Sequence, residues 1–214
     1  MSLLIDKTIK DFSNLLASSE PAPGGGSTAA LSGLFGASLS MMVVNLSVGK
    51  KAYEALEVGI KEEIKQSFDK IAALNNELMG LVDEDTKAFN AFMEAMRLPK
   101  ETEQEKAART EAIQKAGLYT LEVPLKVAEK CLQILRNQRI IVEYGNKNAL
   151  SDVGVGALLA QAGLEGAILN VKINLPGISD AAVKSDAQEK IKSLLEEGQD
   201  LKARIIETVN KRIG

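Results

Sequence analysis

The chain has 214 residues, of which 45% are hydrophobic and 26% are charged. These proportions are typical of a globular protein and exclude an intrinsically disordered chain. Its 26 lysines and arginines are balanced by 29 acidic residues, so no basic surface for nucleic acid is indicated. The chain has no histidine, which excludes Ser-His-Asp triads and histidine zinc sites. Any chemistry must therefore rest on carboxylates, lysines, tyrosines, amides or backbone N–H groups.

Helical spacing of apolar residues begins near the start of the chain. The first predicted helix covers Leu4 to Ala17, and the prolines and glycines of Ser18 to Gly26 end it. Ser27 is the predicted N-cap of a second helix that reaches about Val48. Helical spacing resumes from Ala52 to Met96, either as two helices or as one bent helix.

Three further helices are predicted after Pro99. A capping-box sequence at Thr102 opens a helix that reaches about Val142, and Pro124 should kink it. The others cover about 150–170 and 179–211. No segment has the length and alternation that a sheet requires. The sequence thus predicts an all-α fold, a single-domain bundle of long helices over 1–214.

Two segments are apolar on nearly all sides. Ser27 to Gly49 has no charged residue, and Val153 to Asn170 has only Glu165. A membrane-spanning helix has this length, but polar residues recur on several faces of the first segment and its ends lack aromatic anchors. We expect no membrane span but two central helices buried on every side. Their many small residues allow close packing, in part against a second subunit.

The acidic run Asp83-Glu84-Asp85 contains the first candidate for chemistry. Successive residues on a helix lie about 100° apart, so the three cannot face one pocket. Asp85 is the only charge in a seam of apolar residues spaced by three and four, whereas Asp83 is expected to form a solvated ion pair with Lys87. A carboxylate in such a seam is either tied to a structural partner or has a raised pKa that allows proton exchange near neutrality.

The second candidate is the run Gly24, Gly25, Gly26 and Ser27. It is not a P-loop, because no Gly-Lys-Ser/Thr closes it, and it is not a dinucleotide fingerprint, because no strand precedes it. It is either a linker that ends in a helix cap or a set of free N–H groups that binds a carboxylate or another oxygen-rich ligand.

Other polar residues lie at or near predicted helix ends. Most such groups are simply solvated, cap a helix or bond within the protein. Those retained as candidates are Lys50, Lys51, Arg97, Lys100, Asp152, Asn170 and Asn174.

Seven sequence blocks, taken in order, carry a family resemblance. They are PAPGGGS, GKK, LVDEDTKAF, MRLPKETEQEKAAR, EVPL, GNKNALSDVGV and NVKINL. Between about Phe12 and Leu175, the chain resembles the cyclodeaminase domain of formiminotransferase-cyclodeaminase. It is equally similar to the stand-alone bacterial methenyltetrahydrofolate cyclohydrolases of the same family.

The resemblance implies an all-helical, homodimeric, cytoplasmic enzyme of one-carbon metabolism that uses no metal and no cofactor, with Asp85 as proton donor. Its substrate would be a tetrahydrofolate derivative, and the reaction would take place at the one-carbon unit bound to N5 or N10. A cyclodeaminase would release ammonia from the formimino form, and a cyclohydrolase would open the methenyl ring with water. A folate-binding module without turnover and a helical interaction protein without a small ligand are the alternatives.

The other candidates take roles from this resemblance. Gly24 to Ser27 and Asp152 would hold the pterin or its one-carbon unit. The glutamate tail would meet Lys50, Lys51, Arg97 or Lys100. Asn170 and Asn174 would line the pocket.

Overall fold

The computed structural model describes residues 3–214, and this range contains α-helices, short 3-10 turns and no β-strand. The predicted all-α fold is confirmed. The helices are α1 (Ile9–Leu16), α2 (Gly25–Asn45), α3 (Lys51–Glu54), α4 (Val58–Met96), α5 (Glu103–Tyr144), α6 (Leu150–Asn174) and α7 (Ala181–Ile213). The 3-10 turns are Lys147–Ala149 and Leu175–Gly177.

Several helix boundaries differ from the sequence prediction. The first helix begins at Ile9 rather than Leu4, because the Thr8 hydroxyl caps it by accepting from the Asp11 N–H. The second begins at Gly25 with Gly24 as its N-cap, so the prediction that Ser27 is the cap is wrong. The pattern from residue 52 to residue 96 forms the end of the short α3 and one 39-residue helix, α4.

The five long helices alternate in direction. Gly26 of α2 lies against Asp85 of α4, and Gly33 lies against Leu78, so α2 and α4 are antiparallel. Equivalent pairings make α5 antiparallel to α4 and to α6, and α7 antiparallel to α6. Helix α6 packs against α2, α5 and α7, and α5 contacts all four of the other long helices.

This alternation gives the bundle two ends. The glycine end contains the start of α2, Asp85 and the last turns of α6. The lysine end contains Lys50, Lys51 and Asp152, which follow α2 or begin α6. Helix α2 has 21 residues, so the two ends lie about 30 Å apart.

Helices α2 and α6 cross in close contact because glycines face each other there. A Cβ on Gly36 would lie 2.6 Å from the Gly156 carbonyl oxygen, and one on Gly163 would lie 2.8 Å from that of Ala29. The Ser32 hydroxyl donates to the Leu159 carbonyl at 2.8 Å across the same contact. The close approach expected from small residues is therefore present.

The prediction that these two helices are buried on every side is wrong. Each carries a stripe of exposed apolar residues, and the two stripes lie on neighbouring helices. We call the combined surface the apolar face; it consists of Phe35, Met42, Leu46, Val155, Leu158, Leu169 and Ile173. Both helices are long and apolar enough to cross a membrane, but 56% of the apolar 18-residue stretch in each is buried in the bundle. Packing inside the protein thus accounts for much of their apolar character.

Helix α5 continues through Pro124 as a single 42-residue helix. Proline has no N–H, so it cannot donate to the Thr120 carbonyl one turn earlier. The side-chain amide of Asn174 donates to that carbonyl at 2.7 Å instead. An α6 side chain thus replaces the hydrogen bond that Pro124 removes from α5.

Candidate active site

Asp85 of α4 lies opposite the first turn of α2. Its Oδ2 accepts hydrogen bonds from the Ser27 backbone N–H at 2.9 Å and from the Ser27 hydroxyl at 3.1 Å. Its Oδ1 lies against Gly26, where a Cβ would be only 1.9 Å from that oxygen. The carboxyl group can approach α2 this closely because residue 26 has no side chain.

The environment of Asp85 favours a protonated carboxyl group more than water does. Burial raises the pKa of Asp85 above its ordinary value, and the two Ser27 donors oppose part of this increase. No lysine or arginine forms an ion pair with Asp85 within residues 3–214. A half-buried carboxyl group with a raised pKa and no basic partner stays protonated to higher pH than an exposed aspartate, and its carboxylate is the stronger base.

Asp83 has a structural partner. It accepts hydrogen bonds from the backbone N–H groups of Leu4 at 2.6 Å and Ile5 at 3.3 Å. The predicted ion pair between Asp83 and Lys87 is therefore wrong. Backbone N–H groups in a partly buried segment need acceptors, and Asp83 supplies them.

Glu84 is also fully engaged. Lys87 pairs with it at 3.0 Å, and the Tyr119 hydroxyl of α5 donates to its other oxygen. The Tyr119 bond lowers the pKa of Glu84, while burial and Glu84 raise the pKa of Tyr119 to about 12. Both groups keep their ordinary charge at neutral pH and hold α4 against α5 beside Asp85.

The first turn of α2 presents backbone donors next to Asp85. The first N–H groups of a helix have no partner within that helix. The Ser27 N–H bonds Asp85, whereas the N–H groups of the exposed Gly25 and the buried Gly26 have no hydrogen-bond acceptor within residues 3–214. The positive end of the α2 dipole adds to their attraction for an oxygen atom with negative charge.

Asn170 is part of this arrangement, whereas Asn174 is not. A Cβ on Gly25 would lie 3.4 Å from the Asn170 Nδ2, so the amide borders the glycine turn. This Nδ2 donates to the Gly166 carbonyl at 2.9 Å, which leaves the amide oxygen as an acceptor. Asn174 instead bonds the Thr120 carbonyl and supports α5.

The basic candidates and Asp152 lie away from Asp85 within one chain. Lys50, Lys51 and Asp152 are at the lysine end, about 30 Å distant along α2. Arg97 and Lys100 are exposed and follow the end of α4, with Arg97 about 18 Å beyond Asp85 by helical rise. The structure therefore groups Asp85 with Gly25, Gly26, Ser27 and Asn170, next to the Gly24 cap.

Two polar residues near Asp85 were not selected from the sequence. The Thr86 hydroxyl lies 3.5 Å from the Ser27 hydroxyl. Helical rotation alone puts residues 85 and 86 on different faces, so spacing gave no signal for Thr86. Tyr119 is distant in sequence, and only the register between α4 and α5 brings it close.

Five clefts with volumes of about 230–580 Å³ occur on the described surface, and none of these five is lined by Asp85.

Comparisons with known proteins identify related sequences and a related fold. The formiminotransferase-cyclodeaminase family model matches residues 8–209. A methenyltetrahydrofolate cyclohydrolase from Methylorubrum extorquens is 42% identical over 97% of this chain and 98% of its own length. A formimidoyltransferase-cyclodeaminase from Gallus gallus is 34% identical over 98% of this chain, which spans only 38% of that protein.

A crystal structure of a formiminotetrahydrofolate cyclodeaminase from Thermotoga maritima matches the fold. Its TM-score is 0.84 at 24% sequence identity, with 98% of each chain covered. The sequence matches and the shared fold together establish that the chain belongs to the formiminotransferase-cyclodeaminase family.

Proposed function

We propose that the protein is a folate one-carbon enzyme and that its main reaction is the hydrolysis of 5,10-methenyltetrahydrofolate to 10-formyltetrahydrofolate. The observation that carries this proposal is the half-buried Asp85 carboxyl group beside the free N–H groups of the α2 glycine turn. The relatives favour hydrolysis, because the cyclohydrolase matches over nearly its whole length and at higher identity than the bifunctional cyclodeaminases.

Asp85 acts as the base in the first step. The methenyl carbon carries positive charge, which the ionised carboxylate attracts. Water adds to this carbon as Asp85 takes one of its protons, and a neutral carbinolamine forms. The raised pKa of Asp85 makes its carboxylate a stronger base than an exposed aspartate.

The second step opens the ring. The proton held by Asp85 passes to N5 as the bond between N5 and the former methenyl carbon breaks. The carbinolamine hydroxyl loses its proton to solvent and becomes the formyl carbonyl on N10. The N–H groups of Gly25 and Gly26 stabilise the negative charge that develops on this oxygen. The overall reaction consumes one water and releases one proton, and it needs no metal or cofactor.

Cyclodeamination is the second candidate, because the same carboxyl group can act as an acid. In that reaction N10 attacks the formimino carbon of the substrate, and the amino group leaves as ammonia after Asp85 protonates it. The raised pKa favours this role, since it increases the protonated fraction near neutrality. The sequence matches to bifunctional cyclodeaminases keep this reaction in consideration.

The decisive experiment offers both substrates to the wild-type protein and to Asp85→Asn. Loss of methenyltetrahydrofolate absorbance reports hydrolysis, and ammonia release reports deamination. We expect hydrolysis to dominate and Asp85→Asn to reduce kcat by about 100-fold or more while folate binding is retained. Asp69→Asn is the matched control, because Asp69 is an exposed aspartate on the same helix.

Three results would contradict parts of this proposal. Dominant ammonia release would replace the cyclohydrolase with the cyclodeaminase. Folate binding without turnover of either substrate would indicate a binding module. No folate binding at all would indicate a helical interaction protein.

We also propose that the enzyme is a homodimer joined through the apolar face. This surface is exposed in one chain, although it consists of large apolar side chains on α2 and α6. A two-fold axis that lies in the interface and crosses the helices would put the lysine end of one subunit beside the glycine end of the other.

Such a dimer would add residues of the partner subunit to the site around Asp85. Asp152, Lys50 and Lys51 of the partner subunit would approach the site, where the two lysines could meet the glutamate tail of the folate. The lysine-end residues and Asp85 could then act in one site, even though they lie far apart within one chain. Arg97 and Lys100 already lie towards the glycine end and could meet a longer tail.

A further inference from the structure

The two oxygens of the Asp85 carboxyl group have different surroundings. Oδ2 accepts both hydrogen bonds from Ser27, one from the backbone and one from the side chain. Oδ1 lies against the Cα of Gly26 and accepts no hydrogen bond within residues 3–214. Among the described residues, Oδ2 thus has two hydrogen-bond donors and Oδ1 has none.

Ser27 is placed to hold Oδ2 and not to meet a ligand. Its side chain is fully buried, with 0% of its surface exposed. Its N–H and its hydroxyl hydrogen both point to the same carboxylate oxygen. Water cannot compete for the hydroxyl at this depth. The Ser27 N–H and hydroxyl therefore fix the orientation of the carboxyl group together, through Oδ2.

Thr86 extends this hydrogen-bonded chain. Its hydroxyl oxygen lies 3.5 Å from that of Ser27, and either could in principle be the donor. A hydroxyl has only one hydrogen, and that of Ser27 goes to Asp85. Thr86 is therefore the only possible donor in this contact, which is longer than the usual range of about 2.5–3.0 Å between two hydroxyl oxygens.

Among the described residues, no charged side chain contributes to the pKa shift of Asp85 as the Ser27 donors do. Helix α2 has no ionisable residue. On α4 and α5, Glu84 is bonded to Lys87 and to Tyr119. On α6, the nearest charged residues in the sequence are Glu165 and Lys172, and both are exposed. Burial raises the pKa of Asp85, and the Ser27 donors are the opposing influence.

We propose that Ser27 is a positioning residue that fixes Oδ2, that Oδ1 is the oxygen that exchanges a proton with the substrate, and that Thr86 orients the Ser27 hydroxyl. This inference rests on the proposed folate chemistry, which requires one carboxyl oxygen to face the reacting carbon. It assigns Ser27 a role different from the substrate contact that the sequence suggested.

The test is Ser27→Ala, measured as the pH dependence of kcat and KM. Loss of a donor to the charged carboxylate raises its pKa, so the acid limb of the cyclohydrolase profile should move up by about one pH unit. KM should stay within about twofold, because Ser27 does not contact substrate in this proposal. Ser32→Ala is the control, since its hydroxyl bonds a carbonyl at the α2–α6 contact.

Thr86 provides a second pair of variants if Ser27→Ala does not fold. Thr86→Val removes the hydroxyl at constant shape and should move the acid limb in the same direction by a smaller amount. Thr86→Ser retains the hydroxyl and should restore the wild-type profile. A raised KM with an unshifted profile in Ser27→Ala, or no shift in either variant, would overturn the inference.

A measurement without substrate separates this inference from the proposed function. The pKa of Asp85 can be read from the ¹³C resonance of its carboxyl carbon, assigned through its absence in Asp85→Asn. We expect the resonance to titrate at higher pH in Ser27→Ala than in the wild type. A shifted resonance in a protein that turns over neither folate substrate would refute the proposed function and support the hydrogen-bond assignment. An unshifted resonance would refute the assignment.

Discussion

Gly26 shows how a single missing side chain positions the candidate catalytic group. The carboxyl group of Asp85 occupies the space where a Cβ would stand, with its Oδ1 and Cγ only 1.9 Å and 2.4 Å from that point. Neither neighbouring glycine has this contact. A Cβ on Gly25 would make an ordinary contact with Asn170, and one on Gly24 would meet nothing within 4 Å.

We therefore predict that Gly26→Ala reduces kcat by about 100-fold, comparable to loss of the proton-transfer group. The Asp85 side chain can rotate away from the new methyl group, so the bundle should still fold. Steady-state kinetics and thermal unfolding would report the two effects separately.

Gly24→Ala is the matched control, because it adds the same methyl group in open space. It should retain wild-type kcat. Wild-type turnover in Gly26→Ala would show that Asp85 does not need its position against α2.

The residues around Asp85 differ in how well the sequence could reveal them. The sequence alone reveals Asp85 as a candidate, because it is the only charged residue in an apolar helical seam. Ser27 is a candidate from the sequence, but its expected role as the helix cap is wrong because the helix already begins at Gly25 and Ser27 lies within its first turn. The sequence gives no signal for Thr86, since its contact with Ser27 depends on how α2 packs against α4.

At the scale of the helices, the contact between α5 and α6 replaces a missing backbone hydrogen bond. Pro124 is buried within α5 and leaves the Thr120 carbonyl without its usual donor. Asn174, which the sequence suggested as a pocket residue, satisfies this carbonyl from α6. The proline and the asparagine should therefore be energetically coupled.

We predict that Asn174→Ala lowers the free energy of unfolding by about 1–3 kcal/mol, because it leaves a partly buried carbonyl unsatisfied. In a Pro124→Ala background the same substitution should cost less, since the alanine that replaces the proline supplies a backbone N–H. A double-mutant cycle by chemical denaturation would measure the coupling. Additive effects would show that the Asn174 hydrogen bond does not depend on the proline.

Helix positions were largely predictable, but their surroundings were not. Periodicity and capping located the long helices because both act within a few residues of sequence. In α2 and α6, however, all faces are similarly apolar, so periodicity could not distinguish the side that meets the bundle from the exposed side. That distinction depends on which helices pack beside them, and it defines the apolar face.

At the scale of the whole molecule, helix direction divides the sequence-selected residues into separate groups. Local patterns could identify Lys50, Lys51 and Asp152 as polar groups at helix ends. They could not show at which end of the bundle these three residues lie. The alternation of long helices sets that assignment. It brings Gly25, Gly26 and Asn170 to Asp85 and leaves the other three about 30 Å away.

The proposed dimer makes a specific prediction for mixed subunits. Asp85→Asn and Asp152→Asn should each have little activity, because each site would need Asp85 from one subunit and Asp152 from the other. Random exchange of subunits between the two variants should restore about a quarter of wild-type activity. Half of the dimers would then be mixed, and each mixed dimer would have one intact site.

Leu158→Glu provides the control for this complementation, because it puts a charge on the apolar face. It should yield folded monomers by light scattering and circular dichroism. When it is added to both aspartate variants, mixing should restore no activity. If the two original variants dimerise and exchange but remain inactive together, Asp85 and Asp152 do not share a site across the interface. Full activity in monomeric Leu158→Glu would show instead that one chain completes the site alone.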